Sequence, residues 1–216
     1  MNILKKIINR IYKIRYSKYF YFSDSTSYWV ARYKFGNNSG PGSYGRLAEF
    51  KAETINIFLK TNRINGAIEF GCGDGNQLSL IYYKNYIGVD VSKEAIKKCK
   101  TRFKDDKTKK FIHTDKSINK SFDLALSLDV IFHLVEDSVF ERYMWDMFNS
   151  SSKFVIIYSS NFESQEMIDK HVRHRKFSDW ISINMKHFKL IQVIENKYTF
   201  NGNADTSFAD FYIYSK

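Results

Sequence analysis

The segment IEFGCGDGNQL, residues 68–78, sets Gly71, Gly73 and Gly75 on alternate positions directly after an apolar run. Glycine turns of this kind let the backbone approach a dinucleotide, a phosphate or another nucleoside cofactor. The dinucleotide fingerprint wants a third glycine three positions after the second, where Asn76 stands, and this argues against a bound pyrophosphate. Glu69 and Asp74 make the turn acidic, so it repels phosphates and favours a cation or hydroxyl and amine donors. Asp90 follows about 20 residues beyond the turn, the place from which a carboxylate accepts hydrogen bonds from ribose hydroxyls.

Two further stretches carry reactive side chains. HVRHRKF gathers His171, Arg173, His174, Arg175 and Lys176; such a cluster suits a phosphate or carboxylate, or else is a solvated basic turn. NNSGPGSYGR, residues 37–46, is the most turn-rich part of the chain and reads as a loop that closes over a ligand, with Ser43, Tyr44 and Arg46 on its inner side. Just upstream, Trp29, Arg32 and Tyr33 supply an aromatic wall or anchor the N-terminal arm.

The elements that must position these residues alternate. Apolar spacing over Tyr44–Lys60 predicts a helix, GAIEF (66–70) a buried strand, and Asn76–Tyr83 a second helix. YIGVDVS is the next strand, and Ser92 is placed to cap a basic helix that follows it. KFIHTD, FDLALSLDV and FVIIYSS are three more apolar runs of strand length, with a helix over 135–151 between the last two. Continuous rather than alternating apolar runs imply strands buried on both faces, hence a parallel sheet with helical crossovers. KLIQVIENKYTF and SFADFYIYSK, separated by NGNADT, predict a terminal antiparallel hairpin. The expected fold is therefore α/β: a Rossmann-like three-layer sandwich with a mostly parallel seven-stranded sheet, a C-terminal antiparallel β-hairpin and an N-terminal helical arm. The arm takes residues 1–43 and the domain residues 44–216.

At 216 residues with 44% apolar and 17% aromatic content, the chain fills one core and is short for two domains. Cys72 and Cys99 have neither metal-like spacing nor a disulfide framework, so no metal is expected and the compartment reads as reducing and cytoplasmic. The net charge of +11 is unevenly spread: residues 1–20 hold six basic residues and no acid, which leaves +5 for the rest. That segment places Ile3, Leu4, Ile7, Ile8, Ile11 and Ile14 on one helical face opposite its basic residues, suited to packing as a lid helix or to peripheral contact with an anionic membrane.

Glu69-Phe-Gly-Cys-Gly-Asp-Gly75, Gly88-Val-Asp-Val-Ser92, His113-Thr-Asp115 and Asp123-Leu-Ala-Leu-Ser-Leu-Asp-Val130, in this order and spacing, resemble the class I S-adenosylmethionine-dependent methyltransferases over about residues 44–216. The resemblance implies S-adenosylmethionine as cofactor and S-adenosylhomocysteine as product. Gly71 and Gly73 would then border the methionine moiety, with Glu69 near its amino group. Asp90 would take the ribose hydroxyls and Asp115 the adenine amine, beside His113 or Thr114. Asp129 and Val130 would face the sulfonium and the acceptor. The segments YWVARYKFGNNSGPGSYGRLAEFKAE, SLDVIFHLVED, IYSSN and HVRHRKF are also similar to small bacterial methyltransferase-domain proteins of surface-polysaccharide and other specialised pathways.

A sulfonium is already a strong electrophile, so the protein has to align a nucleophile and exclude water, and an alcohol acceptor needs a base. His133, four residues past Asp129, is the expected base, with Asp129 orienting it; a structural histidine is the alternative. Tyr44, Arg46, Asn161, His171, Arg173 and His174 are the expected acceptor contacts. Together these point to O-methylation of a small sugar, sugar nucleotide or phosphate-bearing acceptor. RNA or protein methylation and non-catalytic cofactor binding are the alternatives. Nucleic acid is disfavoured because no RNA-recognition module is present and Ser127-Leu-Asp-Val130 stands where a base-stacking Asn-Pro-Pro-Tyr motif would.

Overall fold

A computed structural model describes residues 22–116, 120–164 and 169–216. The amphipathic segment 1–20 lies outside them. Seven strands form one sheet in the order β3-β2-β1-β4-β5-β7-β6. They are β1 (Ala67–Phe70), β2 (Tyr86–Asp90), β3 (Lys109–His113), β4 (Phe122–Leu128), β5 (Ser151–Ser159), β6 (Lys189–Ile194) and β7 (Asp210–Ser215). Neighbours from β3 to β5 pair in parallel, and β7 runs antiparallel to both β5 and β6. The mostly parallel sheet with an antiparallel C-terminal pair is the one expected from the runs of apolar residues.

Among the described residues five α-helices accompany the sheet: α1 (Ser25–Lys34), α2 (Gly45–Thr61), α3 (Lys93–Arg102), α4 (Asp137–Asn149) and α5 (Phe177–Asn184). Phe50, Ile55 and Phe58 of α2 and Ile96 and Cys99 of α3 pack on one face of the sheet, against Leu124, Leu126, Ile156 and Phe211. Phe140, Met144 and Phe148 of α4 and Phe177 and Ile181 of α5 pack on the other, against Ile68, Ala125, Val155 and Ile157. Every residue of β1 is buried, which is why its sequence shows no polar alternation. Ser92 caps α3 as expected, accepting from the Ala95 amide at 3.3 Å.

Two expectations need correction. The helix read over Asn76–Tyr83 is only a 3₁₀ turn, Gln77–Leu80. The Asp74 carboxylate takes the Asn76 amide, and Ile81, in extended backbone, begins a β-branched and aromatic run that buries Ile81 and Tyr83 separately. The terminal hairpin is shorter than its apolar runs: β6 stops at Ile194, because Asn196 draws its amide to the Asp210 carboxylate and turns its side chain onto Tyr198. Pairing resumes where Phe200 and Ser207 meet.

The described part of the N-terminal arm is fastened at both ends. At its start the Ser25 amide donates to Glu136 Oε1 at 2.9 Å, and Ser25 Oγ accepts from the Val135 amide at 2.9 Å. After α1 the chain passes over the glycine turn before entering α2. No helix among the described residues is long and apolar enough to cross a membrane.

Candidate active site

At the C-terminal ends of β1, β2 and β4 a cavity of about 680 Å³ opens. Glu69, Gly71, Gly73, Asp90, Asp115, Asp129, Val130 and His133, all singled out in the sequence, line it together. Trp29 and Tyr33 of α1 close one side and Val139 and Tyr143 of α4 another.

The glycine turn is held by backbone geometry and one buried acid. Gly71 and Gly73 have φ of +83° and +57°, in the left-handed region that glycine tolerates. A side chain at Gly71 would strike Val130, and one at Gly73 would strike Ser39 and Tyr33, so both positions are closed to anything larger. Asp90 Oδ2 accepts from the Gly73 amide at 2.9 Å and Oδ1 from the Ser92 amide at 2.8 Å. Burial pushes the Asp90 carboxyl up to about 6 against the pull of those two amides. Glu69, buried on β1, accepts from Tyr86 Oη at 2.6 Å, and burial raises it to about 7 although Tyr86 and Lys51 oppose the rise. Asp115 is exposed at the cavity rim, its amide donating to His113 Nδ1 at 3.2 Å.

Asp74 does not serve as a free acid at the turn. Its Oδ2 accepts from the Ser39 amide at 3.0 Å and from Tyr44 Oη at 2.7 Å, while its own amide donates to Ser39 Oγ at 3.0 Å. Asn76 adds a bond to the Ser43 carbonyl at 2.8 Å. The loop expected to close over the ligand is thus latched onto the glycine turn. Tyr44 belongs to this latch and not to the cavity lining. Arg46 points elsewhere, pairing with Asp205 at 3.1 Å and lying 4.4 Å over the Tyr198 ring.

Lys51 is the residue that sequence reasoning missed. It is 0% exposed on α2, ion-paired to Asp129 and 5.2 Å over the Tyr158 ring. The signal was available: Leu47, Lys51 and Ile55 fall at i, i+4 and i+8, so the lysine lies on the buried stripe of its helix. Asp129 directly follows β4 with φ of +58°, a conformation costly for a residue with a Cβ. Its amide donates to the Tyr158 carbonyl at 2.9 Å, and Gly42 leaves no room on its other side.

Asp129 is spent on Lys51 and does not orient His133. That task falls to the His171 backbone carbonyl, 3.0 Å from His133 Nδ1. A carbonyl only accepts, so Nδ1 carries the proton and the Nε2 lone pair is left unprotonated. His133 is sandwiched between Trp29, edge-on at 4.9 Å, and the parallel ring of His171 at 5.3 Å. Burial drives its pKa down to about 3, with the His171 carbonyl opposing, so the imidazole is neutral.

The HVRHRKF segment does not reach the cavity. Arg173 and Arg175 both bind Asp137, and they donate to the Val135 carbonyl at 3.0 and 2.7 Å, which ties the loop after β5 to the start of α4. His171 stacks on Tyr28 at 4.3 Å. His174 is buried, bonded to Ser160 Oγ at 2.7 Å and stacked on Phe162. Asn161 Oδ1 accepts from the Ser178 amide at 3.1 Å, at the first turn of α5.

Residues 68–156 match the family described as Methyltransferase domain. Among solved structures, the methyltransferase domain of bacterial CtHen1 is similar at 19% identity and a TM-score of 0.61, over 77% of this chain and 97% of that one. The N-methyltransferase NodS of Bradyrhizobium japonicum WM9, solved with S-adenosylhomocysteine, is similar at 16% identity and 0.61, over 78% and 86%. The magnesium protoporphyrin IX methyltransferase ChlM of Synechocystis PCC 6803 is similar at 11% identity and 0.60, over 99% and 98%. Among curated proteins none matches in sequence. The sheet order and the family match over residues 68–156 together support a class I S-adenosylmethionine-dependent methyltransferase. At such identities the likeness to solved structures conveys the fold and says nothing of the methyl acceptor.

Proposed function

We propose that the protein transfers a methyl group from S-adenosylmethionine to a hydroxyl of a small sugar, sugar-nucleotide or phosphate-bearing acceptor. The residues facing the cavity fit that cofactor: of the six carboxylates that line it, Glu69, Asp90, Asp115 and Asp129 suit an ammonium, a sulfonium and ribose hydroxyls, and would repel a pyrophosphate. In this reading Gly71 and Gly73 border the methionine moiety, Glu69 takes its ammonium, Asp90 the ribose and Asp115 the adenine amine. S-adenosylmethionine supplies an electrophilic methyl group. Val130 and the Asp129–Lys51 pair then set the wall along which the acceptor hydroxyl approaches. Trp29 and Tyr33 offer the flat apolar surface on which a sugar ring packs, and the Ser39–Asp74–Tyr44 latch keeps water out.

The observation that carries the hydroxyl reading is the tautomer of His133. With Nδ1 held by the His171 carbonyl, its Nε2 lone pair is left to accept the acceptor's proton. His133→Ala should leave cofactor affinity unchanged and lower kcat about a hundredfold or more in a screen of phosphorylated and nucleotide-linked sugars. Unchanged turnover would remove His133 from the role.

A second reading, methylation of a nucleic acid, draws on the groove between α3 and β3, which Lys93, Lys97, Lys100 and Lys104 line. A steep fall of RNA affinity with salt would favour it.

A further inference from the structure

Among the described residues strand β6 is the outer edge of the sheet, hydrogen-bonded on one side to β7 and to no strand on the other. An edge strand presents a row of backbone donors and acceptors, and natural edges are usually shielded by charge, proline or brevity. Here the edge is apolar. Leu190, Ile191 and Val193 are 47%, 53% and 45% exposed, in a strand whose first five residues are all exposed. Neither Lys189 nor Glu195, which flank this run, has an ion-pair partner among the described residues.

The sequence of this edge is complementary to itself. When KLIQVIE, residues 189–195, is laid antiparallel on a second copy about Gln192, Lys189 meets Glu195, Leu190 meets Ile194, and Ile191 meets Val193. Every apolar residue then faces an apolar residue, and each end carries an opposite-charge pair; both kinds of cross-strand pair stabilise a sheet. A twofold axis through Gln192 generates both charge pairs at once, as an isologous contact requires.

The bulge between Leu190 and Gln192 narrows the choice of partner. A bulge kinks its strand and tightens the local twist, which turns away flat strands of arbitrary sequence. In the twofold register the kink at Leu190–Gln192 of one copy lies beside Gln192–Ile194 of the other, so the pair carries one kink on each side of the axis. We infer that the protein is a homodimer formed by antiparallel β6–β6 pairing in the 189-to-195 register, which joins two seven-stranded sheets into one. The contact lies on the strand farthest in sheet order from β3, so the inference stands independently of the methyl acceptor.

Charge exchange tests the register. Sedimentation equilibrium of the full chain should give a dimer. Lys189→Glu and Glu195→Lys should each weaken the dimer about tenfold, since either change sets like charges opposite each other twice. The double variant Lys189→Glu/Glu195→Lys should recover the wild-type dissociation constant. Val193→Pro should yield a monomer, because proline in an edge strand removes a ladder donor. Far-UV circular dichroism and the thermal midpoint would establish that each variant is folded. The inference would be overturned by a wild-type monomer at all concentrations, by single variants as dimeric as wild type, or by a double variant no better than either single one. A dimer that survives Val193→Pro in a folded protein would assign the contact to another surface and equally refute the β6 register.

Discussion

The two halves of the cavity are built by different means. On the side of β1 and β2, the ligand groups are backbone turns and buried acids braced within about 20 residues of one another, as Asp90 is by Gly73 and Ser92. On the side of β4 and β5, distant segments supply the groups: Asp129 depends on Lys51, 78 positions away, and His133 on the His171 carbonyl, 38 positions away. The first half is chiefly a local motif, with Ser39 and Tyr44 latched onto its glycine turn. The second is assembled by tertiary packing, so its chemistry is specific to this chain.

Breaking the tertiary half should cost stability first. Lys51→Met strands the largely buried Asp129 carboxylate, and chemical denaturation should show a loss of about 3–5 kcal/mol. Adding Asp129→Asn should return much of it. A neutral Lys51→Met would mean that the pair contributes little and that the two halves are alike.

The local half should reveal itself through pH. Folding raises the Glu69 and Asp90 carboxyls to about 7 and about 6, above their unfolded values of about 4. A raised acid stabilises the fold fully below its unfolded pKa and ceases to do so as pH climbs through the folded one. Ligand-free protein should therefore lose stability between about pH 4 and 7 from these two groups. Binding of a cationic ligand favours their ionised forms, so affinity should rise over that window with release of protons, readable by calorimetry in buffers of different ionisation enthalpy. Glu69→Gln should abolish part of that release; an unchanged proton count would separate Glu69 from the ligand's cation.

The smallest effect is expected from the arginine loop. Arg173 is 36% exposed and its partner Asp137 68%, so Arg173→Ala should cost about 1 kcal/mol or less and leave cofactor affinity unchanged. A large loss of cofactor affinity would bring that loop back into the site.

The same contrast explains what could be read from the sequence. The mostly parallel sheet with its terminal hairpin, the glycine turn and Asp90 follow from residue types at fixed local spacing, so they were legible. Lys51 sat on the buried stripe of an amphipathic helix, where a lysine is easily taken for a surface residue. The destinations of Arg173 and Arg175 were hidden because Asp137 and the Val135 carbonyl lie in a different segment. Asp74 was read as an acid of the turn, yet its partners Ser39 and Tyr44 come from the end of the arm and the start of the domain, and no spacing rule links them.

Titration of S-adenosylmethionine and of NAD into the wild-type protein and into Asp90→Ala tests the central claim most directly. The account predicts that the wild type binds S-adenosylmethionine in preference to NAD. It also predicts that Asp90→Ala weakens that binding about a hundredfold or more, through two lost hydrogen bonds to a charged acceptor. Preference for NAD, or wild-type affinity in the folded Asp90→Ala variant, would contradict it.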